Sequence, residues 1–386
     1  MNNILDESEL SCTGCGICTA MCDKNAIDIK EEDGFFKAKV DKNTCVNCGQ
    51  CKKVCYKFID EADSYNIYES KVYRTYSTDL SQRKNSSSGG VCGKLVDYAL
   101  NNGYKVAGVR YNYEKNISEH IVISDKSDMD KFVGSKYIQS DTTALVKEIK
   151  AYPKDKYLII GSPCQIYGFS KFFRNKNNLD NVILVDFFCH GVPSYDLWRK
   201  YLKHTVKNDK ITKINFRDKT HGWHKFSMKI TTRNKVYLKN LNNDLFYHFF
   251  LSDVCLNKCC YDCKLRFGKL YSDIRVGDFW GKLCRDDELG SSIYLSNNEV
   301  GEALLRKLEG IHYEKVDFKH LIDSQYVEKI HIPLNYDEIS KNLSSNKSLS
   351  NIYMKHLFLT VMKKKLKPIN IIRNMIPKKV KKLIRR

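Results

Sequence analysis

The sequence CTGCGICTAMC at residues 12–22 returns as CVNCGQCKKVC at residues 45–55. Both copies space their cysteines C-x2-C-x2-C-x3-C, and both place a glycine directly after the second cysteine. A run of this kind gives three thiolates to one 4Fe–4S cube and its fourth, remote thiolate to another cube. The repeat therefore predicts two 4Fe–4S clusters within the first 62 residues.

The crossing rule divides the eight cysteines between the two cubes. The first predicted ligand set is Cys12, Cys15, Cys18 and Cys55. The second predicted set is Cys45, Cys48, Cys51 and Cys22. The proline that usually follows the fourth cysteine is replaced by Asp23 and Tyr56, which removes no ligand. Zinc binding and disulfide formation are the alternatives, and the doubled spacing argues against both.

Between the two runs, the segments 26–30 and 35–40 have the composition of short strands, and Asp33-Gly34 is typical of a hairpin turn. Residues 1–62 are therefore predicted to form an α+β ferredoxin-like domain. Residues 70–330 alternate short apolar runs with helical patterns, which predicts an α/β domain with a largely parallel sheet. The predicted strands include 106–109, 121–123, 157–160 and 182–188, and the predicted helices include 90–100, 142–149 and 194–204.

The composition is that of a folded protein, with 42% hydrophobic residues in a chain of 386 residues. No apolar run is long enough for a membrane span, and the acidic start does not resemble a secretory signal, so a cytoplasmic location is expected. In that reducing compartment, closely spaced cysteines among the 16 indicate metal ligands or redox groups. The net charge of +20 is concentrated in residues 341–386, which hold 14 basic and no acidic side chains.

Three short motifs lie where an α/β sheet would present a ligand. SSSGG at residues 86–90 precedes a predicted helix, GSPCQ at 161–165 follows a predicted strand, and CHGVPS at 189–194 follows the next. Open α/β sheets bind ligands at the carboxyl ends of their strands. The Ser-Gly loop is typical of a phosphate site at a helix N-terminus, although an ordinary helix cap has the same composition. GSKYIQS at 134–140 adds a lysine and a tyrosine.

A further cysteine cluster spans residues 255–263 and is followed by YSDIRVGDFWG at 271–281. It contains enough thiols for three ligands of another metal centre, with a fourth from Cys189 or Cys164. A zinc knuckle is the structural alternative.

As an ordered set, these motifs make residues 1–330 resemble the coenzyme F420 hydrogenase/dehydrogenase beta-subunit family with a fused N-terminal two-cluster ferredoxin domain. The resemblance implies FAD at the carboxyl edge of the sheet, a third 4Fe–4S cluster beside it, and oxidation or reduction of a small substrate at the flavin. The ligands it implies for the third cluster are Cys189, Cys255, Cys260 and Cys263, with Cys259 as a spare. The FAD-binding residues it implies are Ser87, Ser88, Gly89 and Gly90, with Gly161, Ser162, Pro163, Cys164 and Gln165 nearby.

Catalytic candidates come from two segments. Lys136 lies on the predicted flavin side, and the donor-rich stretch 215–224 contains Arg217, Lys219, His221 and His224. These side chains could bind an anionic group or relay a proton, and we take Lys136, His221 and His224 as the catalytic candidates. A polar turn around a packed Trp223 is the alternative for this stretch.

The leading hypothesis is an iron–sulfur flavoprotein oxidoreductase. An external low-potential donor such as a ferredoxin would supply electrons, which would reach FAD and then a small substrate, for example a sugar or polysaccharide intermediate. One alternative is a subunit that oxidises or reduces coenzyme F420 within a larger hydrogenase or dehydrogenase. Another is a non-catalytic electron-transfer protein.

The basic tail, residues 341–386, is predicted to be helical. Its first segment carries an apolar stripe made of Met354, Leu357, Phe358, Val361 and Met362, and a second segment spans 369–382. Such a helix can lie on the anionic inner face of a membrane, or it can pack on its own domain. Nucleic-acid binding is disfavoured because no other part of the sequence carries a nucleic-acid motif. The oligomeric state is left open.

Overall fold

The computed structural model describes residues 1–8, 11–325 and 329–363. Near the N-terminus, strands β1 (Ile27–Glu32) and β2 (Phe35–Val40) pair antiparallel as the predicted hairpin. The turn residues Asp33 and Gly34 both adopt positive φ, as expected of an Asp-Gly turn. Short 3-10 turns follow the cysteine loops at Ile17–Thr19, Gln50–Val54 and Tyr56–Phe58.

The remaining strands are β3 Tyr65–Asn66, β4 Lys71–Ser77, β5 Lys105–Asn112, β6 Ile117–Ile123, β7 Ser140–Asp141, β8 Tyr157–Ile160, β9 Val182–Phe187, β10 Ile211–Asp218, β11 Ser227–Thr232, β12 Val236–Asn240, β13 Lys269–Leu270, β14 Ile274–Asp278, β15 Ser292–Ser296 and β16 Ile311–Lys315. The helices are α1 Leu80–Asn85, α2 Val91–Asn101, α3 Thr143–Ala151, α4 Pro163–Asn175, α5 Tyr195–Thr205, α6 Leu245–Phe250, α7 Lys258–Tyr261, α8 Glu299–Lys307, α9 Phe318–Gln325, α10 Tyr336–Ser344 and α11 Leu349–His356.

A nine-stranded sheet with the order β16-β4-β15-β14-β9-β8-β5-β6-β7 forms the centre of the molecule. Strands β14, β9, β8 and β5 are parallel, and antiparallel strands flank them. The predicted α/β architecture is confirmed, and the sheet is mixed, with its parallel part at the centre. The central strands are apolar on both faces because helices cover both sides of the sheet.

A buried ion pair joins the two middle strands. Arg275 on β14 lies opposite Asp186 on β9, and its guanidinium donates to both carboxylate oxygens, at 2.8 and 2.6 Å. The exposed fraction is 0% for Arg275 and 1% for Asp186. Because water does not solvate either group at this buried position, each charge is balanced by the other.

A second layer was absent from the sequence prediction. Strands β10, β11 and β12 form an antiparallel sheet that packs with α5, α6, α10 and α11 around an aromatic core. Two register shifts interrupt the pairing of β10 with β11, so the alternation of apolar and polar residues is irregular there.

The basic tail packs on this core as far as residue 363. Leu357 and Val361 are buried in it, and the Phe358 ring lies against Tyr353, whereas Met354 and Met362 are exposed. The predicted membrane-facing stripe is therefore largely used for packing within the chain. This agrees with the alternative prediction that the tail packs on its own domain. The second predicted tail helix, 369–382, lies outside the described residues. Among the described helices, none has the length and hydropathy needed to span a bilayer.

Candidate functional site

The first predicted ligand set surrounds one cavity. Cys12, Cys15, Cys18 and Cys55 all line a space of about 180 Å³. Within residues 1–8, 11–325 and 329–363, no group of three or more histidine, cysteine or carboxylate side chains is arranged to hold a single metal ion. Four thiols around one partly open cavity suit the four corners of a 4Fe–4S cube.

Two glycines allow the first cysteine loop to press against the main domain. Gly14 and Gly16 have φ values of +69° and +81°, which L side chains rarely adopt. A Cβ at Gly14 would collide with the Phe36 carbonyl, and one at Gly16 would collide with the Thr142 hydroxyl. The loop can therefore take this path only with glycine at both positions.

The same loop is fixed by side chains of the main domain. The Gln139 amide donates to the carbonyl of Thr13 at 2.9 Å, and its oxygen accepts from the Phe36 N–H at 2.7 Å. The Thr142 hydroxyl donates to the Cys15 carbonyl at 2.7 Å. The first cavity is thus held rigidly against the sheet domain, through contacts between residues more than a hundred positions apart.

Burial disfavours the thiolate form of these cysteines unless a positive charge lies nearby. Burial, together with the neighbouring Cys55 and Cys12, raises the pKa of Cys15 to about 12. Burial likewise raises the pKa of Cys55 to about 11. A positively charged iron cluster supplies the charge that would keep such thiols deprotonated, so the donor set fits the group.

The second predicted set reaches the surface at one cysteine. Cys48 is exposed and Cys51 is buried, and burial followed by the nearby Cys48 and Cys22 raises the pKa of Cys51. The Asn3 amide donates to the Cys45 sulfur at 3.5 Å. The structure therefore brings Cys22 from the first run to the second, as the crossing rule requires.

A third group of cysteines gathers at the carboxyl ends of β8 and β9. Burial, followed by the nearby Cys260, Cys164 and Cys263, raises the pKa of Cys189. Arg266 donates to the carbonyls of Cys189, His190 and Cys260, which ties the loop after β9 to α7. The group thus contains three of the four predicted third-cluster ligands.

Cys255 is placed differently from its prediction. It is buried in the aromatic core around α5 and α6, and burial followed by the charge of Asp253 raises its pKa. Cys164, expected near the flavin and also as an alternative fourth ligand of this centre, lies near the third group, since Cys263 and Cys260 raise its pKa after burial and Cys15. The predicted ligand set stays a prediction, and its fourth member is the point on which Cys164 and Cys255 compete. Cys259, the predicted spare, forms a hydrogen bond with Cys260.

The Ser-Gly loop packs closely against the sheet. The Gly89 N–H donates to the Ser292 hydroxyl at 2.9 Å, and a Cβ at Gly89 would lie 2.5 Å from the Thr75 carbonyl. Ser88 donates to the Ser291 carbonyl at 2.6 Å. Gly90, with φ of +92°, leads into α2, and no side chain among the described residues caps the N-terminus of this helix.

The predicted loops meet at one edge. Strands β4, β8, β9 and β14 run in the same direction, so the loops that follow them share the carboxyl edge of the sheet. The Ser135 N–H donates to the Ser87 hydroxyl at 2.8 Å, which joins residues 134–140 to the Ser-Gly loop. In the GSPCQ motif, Ser162 and Gln165 form the capping box of α4, with Pro163 in its first turn, and Gly161 precedes them.

The predicted catalytic lysine forms a helix cap. The Lys136 amine donates to the carbonyls of Phe132 and Val133, both at 3.1 Å, at the end of the 3-10 turn Lys126–Phe132. Burial lowers its pKa to about 7. Lys136 is thus held in place by carbonyls, near Ser135 and the Ser-Gly loop.

Two cations of the donor-rich stretch pair with groups of the chain, although the buried Nε atom of Arg217 has no hydrogen-bond partner among the described residues. Arg217 donates to both carboxylate oxygens of Asp278, at 2.8 and 3.2 Å, and to the hydroxyl of Tyr137 at 2.9 Å. Lys219 donates to the carbonyls of Arg83 and Ser88, each at 2.8 Å. Both side chains connect loops of the sheet edge to one another, and their anion-binding role stays a prediction.

The two predicted catalytic histidines lie in the turn after β10. The His221 Nδ1 atom is 2.8 Å from the Ser227 hydroxyl, and the His224 Nδ1 atom is 3.5 Å from the Glu288 carboxylate. Trp223 between them is fully buried and stacks on Trp280 with ring centroids 4.3 Å apart. The packed-tryptophan alternative therefore describes the centre of this turn.

Two family descriptions match parts of the chain. Residues 154–319 match the family described as the C terminus of the coenzyme F420 hydrogenase/dehydrogenase beta subunit, and residues 11–59 match the 4Fe–4S dicluster domain. The resemblance inferred from the motifs is confirmed by these matches.

Relatives of known sequence share about a quarter of their residues with this chain. The coenzyme F420-dependent sulfite reductase of Methanocaldococcus jannaschii is 23% identical over 338 residues, which cover 82% of this chain and 49% of that protein. The chain thus spans about half the length of that relative. An uncharacterised protein of the same organism is 23% identical over 359 residues, 83% of this chain and 92% of that protein. A chain of the F420-reducing NiFe hydrogenase complex from Methanosarcina barkeri superposes with a TM-score of 0.45 at 18% identity, covering 81% of this chain and 96% of that chain.

Proposed function

This chain joins a 4Fe–4S dicluster domain to the C-terminal domain found in beta subunits of the coenzyme F420 hydrogenase/dehydrogenase family, and from that premise we propose that it is an iron–sulfur oxidoreductase. Electrons enter at the exposed second cysteine set, pass the buried first set and the third group, and leave at the carboxyl edge of the sheet. The observation that carries the proposal is the cavity lined by Cys12, Cys15, Cys18 and Cys55.

The order of the three centres follows from their contacts. Cys22 and Cys51, of the second set, pack in one cluster with Cys18 and Cys55 of the first set. Cys15 of the first set lies near enough to Cys164 of the third group to raise its pKa, after burial. These two contacts support a relay that runs from the surface into the sheet domain, and in it Cys164, Cys189, Cys260 and Cys263 are the proposed ligands of the third cluster.

A flavin is the proposed terminal group. Bound there, FAD would accept electrons one at a time and release them in pairs. The chain offers backbone N–H groups for its phosphates at the N-terminus of α2, which no side chain caps within the described structure. Ser87 and Gly90 flank this position, and Lys136 lies in the adjoining loop.

The proposed donor is an external low-potential protein such as a ferredoxin. Cys48 is exposed, and Val46 beside it has 60% of its surface accessible. Lys42 and Lys53 are exposed close by in the sequence, which suits an acidic partner. The predicted sugar or polysaccharide acceptor gains no support from the comparisons.

A second candidate is direct exchange with coenzyme F420. It is favoured by the family description and by the name of the sulfite reductase relative. In this version, the deazaflavin meets the sheet edge, and the surface cluster connects to a partner protein.

The test is anaerobic purification with iron, acid-labile sulfide and flavin measured per chain. Three cubes predict about twelve irons, and one FAD accompanies them. The holoprotein is then mixed with reduced ferredoxin or with reduced F420, and oxidation of each is followed by absorbance. About eight irons would remove the third centre from the proposal, and a protein with clusters but no flavin after reconstitution would favour a non-catalytic carrier.

A further inference from the structure

The described part of the C-terminal tail has a buried side and an exposed side. Leu357 and Val361 are fixed in the aromatic core, whereas Leu359 has 70% of its surface accessible and Met362 has 37%. Leu359 and Met362 are three positions apart, so they share one face of the helical segment 358–363. An exposed apolar face therefore lies at the point where the described chain ends.

The sequence beyond that point consists almost entirely of two kinds of residue. Among the 23 residues 364–386, ten are Lys or Arg, nine are Ile, Leu, Met or Val, and none is Asp or Glu. These ten cations equal half of the formal net charge of +20. The stretch thus combines charge that attracts anionic groups with apolar side chains that favour leaving water.

The folded surface beside the tail is also basic. His204, in the last turn of α5, lies 3.5 Å from Ser350 of α11, which brings this end of α5 next to the tail. Lys203 is exposed there. Glu338 on α10 is an exposed carboxylate, and Lys355 of α11 pairs with it. The positive charge of the tail therefore continues onto the folded domain.

The mixture of side chains favours a lipid surface over a nucleic acid. A nucleic acid would bind the cations through its phosphates, but residues 364–386 contain no aromatic side chain to stack on bases. Their aliphatic side chains would then stay in water. An anionic bilayer accommodates both kinds, since its headgroups attract the cations and its acyl boundary takes up the aliphatic groups. Leu359 and Met362 extend the same combination into the folded domain.

We propose that residues 359–386 are a peripheral membrane anchor, which binds the headgroups of an anionic bilayer and buries its aliphatic side chains at the acyl boundary. Such an anchor would hold the whole chain at the bilayer surface. The inference is independent of the proposed function, because it needs no cluster, flavin or substrate.

The test mixes the full-length holoprotein with vesicles of phosphatidylcholine, prepared with or without phosphatidylglycerol, and measures the bound fraction by cosedimentation. We expect binding to the anionic vesicles alone, and release at high salt because the charges are then screened. Replacing Lys378, Lys379 and Lys382 together with glutamine should weaken this binding about hundredfold, since each cation near an anionic surface contributes about fivefold.

A matched control removes the same charge elsewhere. Lys115, Lys154 and Lys307 are exposed lysines of the sheet domain, and their joint replacement with glutamine should leave vesicle binding unchanged. The apolar contribution has its own pair of variants. Leu359→Ser should weaken binding about fivefold, whereas Val300→Ser, at a position with 47% of its surface exposed on α8, should not change it.

Several results would overturn the inference. These are absence of binding to anionic vesicles, equal binding to neutral vesicles, and unchanged binding after the three tail lysines are replaced. Preference for RNA or duplex DNA over anionic vesicles, in competition at the same salt concentration, would assign the tail to a nucleic acid instead. Absence of iron–sulfur clusters from the purified wild type would defeat the proposed function and leave the vesicle result standing.

Discussion

Replacing Cys164 and Cys255 with alanine, one at a time, gives the sharpest test of the third centre. Cys164 lies next to Cys189, Cys260 and Cys263, whereas Cys255 is enclosed in the aromatic core. Replacing Cys164 with alanine is expected to remove one ligand from the third cube and to lower the iron content from about twelve to about eight per chain. The loss is a third of the iron, well outside the error of a colorimetric assay.

Replacing Cys255 with alanine is the matched control. Its thiol is buried and that of Cys164 is half-buried, so the control removes a sulfur at least as deep in the chain. We expect the Cys255 variant to keep about twelve irons and to lose about 1 kcal/mol of unfolding free energy, since one small group is removed from a packed core. Iron and sulfide assays on both proteins, prepared anaerobically in parallel, provide the measurement. Loss of four irons from Cys255→Ala, with full iron in Cys164→Ala, would refute the assignment.

Three further predictions concern the fold that supports the centres. Arg275→Met leaves Asp186 as an unpaired buried charge and should lower the unfolding free energy by about 3–5 kcal/mol. The control Lys319→Met breaks an exposed pair with Asp317 and should change the unfolding free energy by less than about 1 kcal/mol. Thermal melts compare the two variants. Burial lowers the pKa of His120 to about 4 from 6.5, so the unfolded chain binds more protons between these values and stability falls as pH drops through that window. Wild type should lose about 2 kcal/mol more than His120→Gln between pH 7 and pH 5 in denaturant titrations. Gly14→Ala should abolish the first cluster in spectra and iron assays because its Cβ meets Phe36, while Gly103→Ala, strained but unobstructed, should keep it.

Each of these predictions has an opposing result. Equal melting temperatures for Arg275→Met and Lys319→Met would show that the buried pair contributes nothing. A pH dependence shared by wild type and His120→Gln would assign the acid sensitivity to other groups. Full iron content in Gly14→Ala would show that the loop can move away from Phe36.

The parts of the site that local sequence determines could be predicted. Strands β8 and β9 follow from apolar runs bounded by turn residues, and the cysteine spacing predicts the crossing of Cys22 and Cys55 between the two runs. The bounds of β8 agree with the prediction because a strand buried on both faces leaves no polar residue to blur its ends.

The parts that depend on distant contacts could not be predicted. In the run from Cys255 to Cys263, nothing local shows which thiol faces the loop after β9, since α7 is a single helical turn. The contact of Tyr56 with Lys264 joins residues 208 positions apart. The stripe on the tail helix has the same period whether it meets lipid or the core, so Leu357 and Val361 could be assigned only from the fold.

The exposure of Cys48 sets the order in which the protein would fail in air. Dioxygen and chelators reach thiolates at the surface first, and the cavity around Cys15 and Cys18 lies deeper. Oxidative damage should therefore begin at the outermost centre. The protein would then lose electron transfer from its donor while the inner clusters are still intact. Loss of the surface cluster would stop electron entry before the inner clusters are damaged. A protein in that state could be repaired by rebuilding a single 4Fe–4S cube.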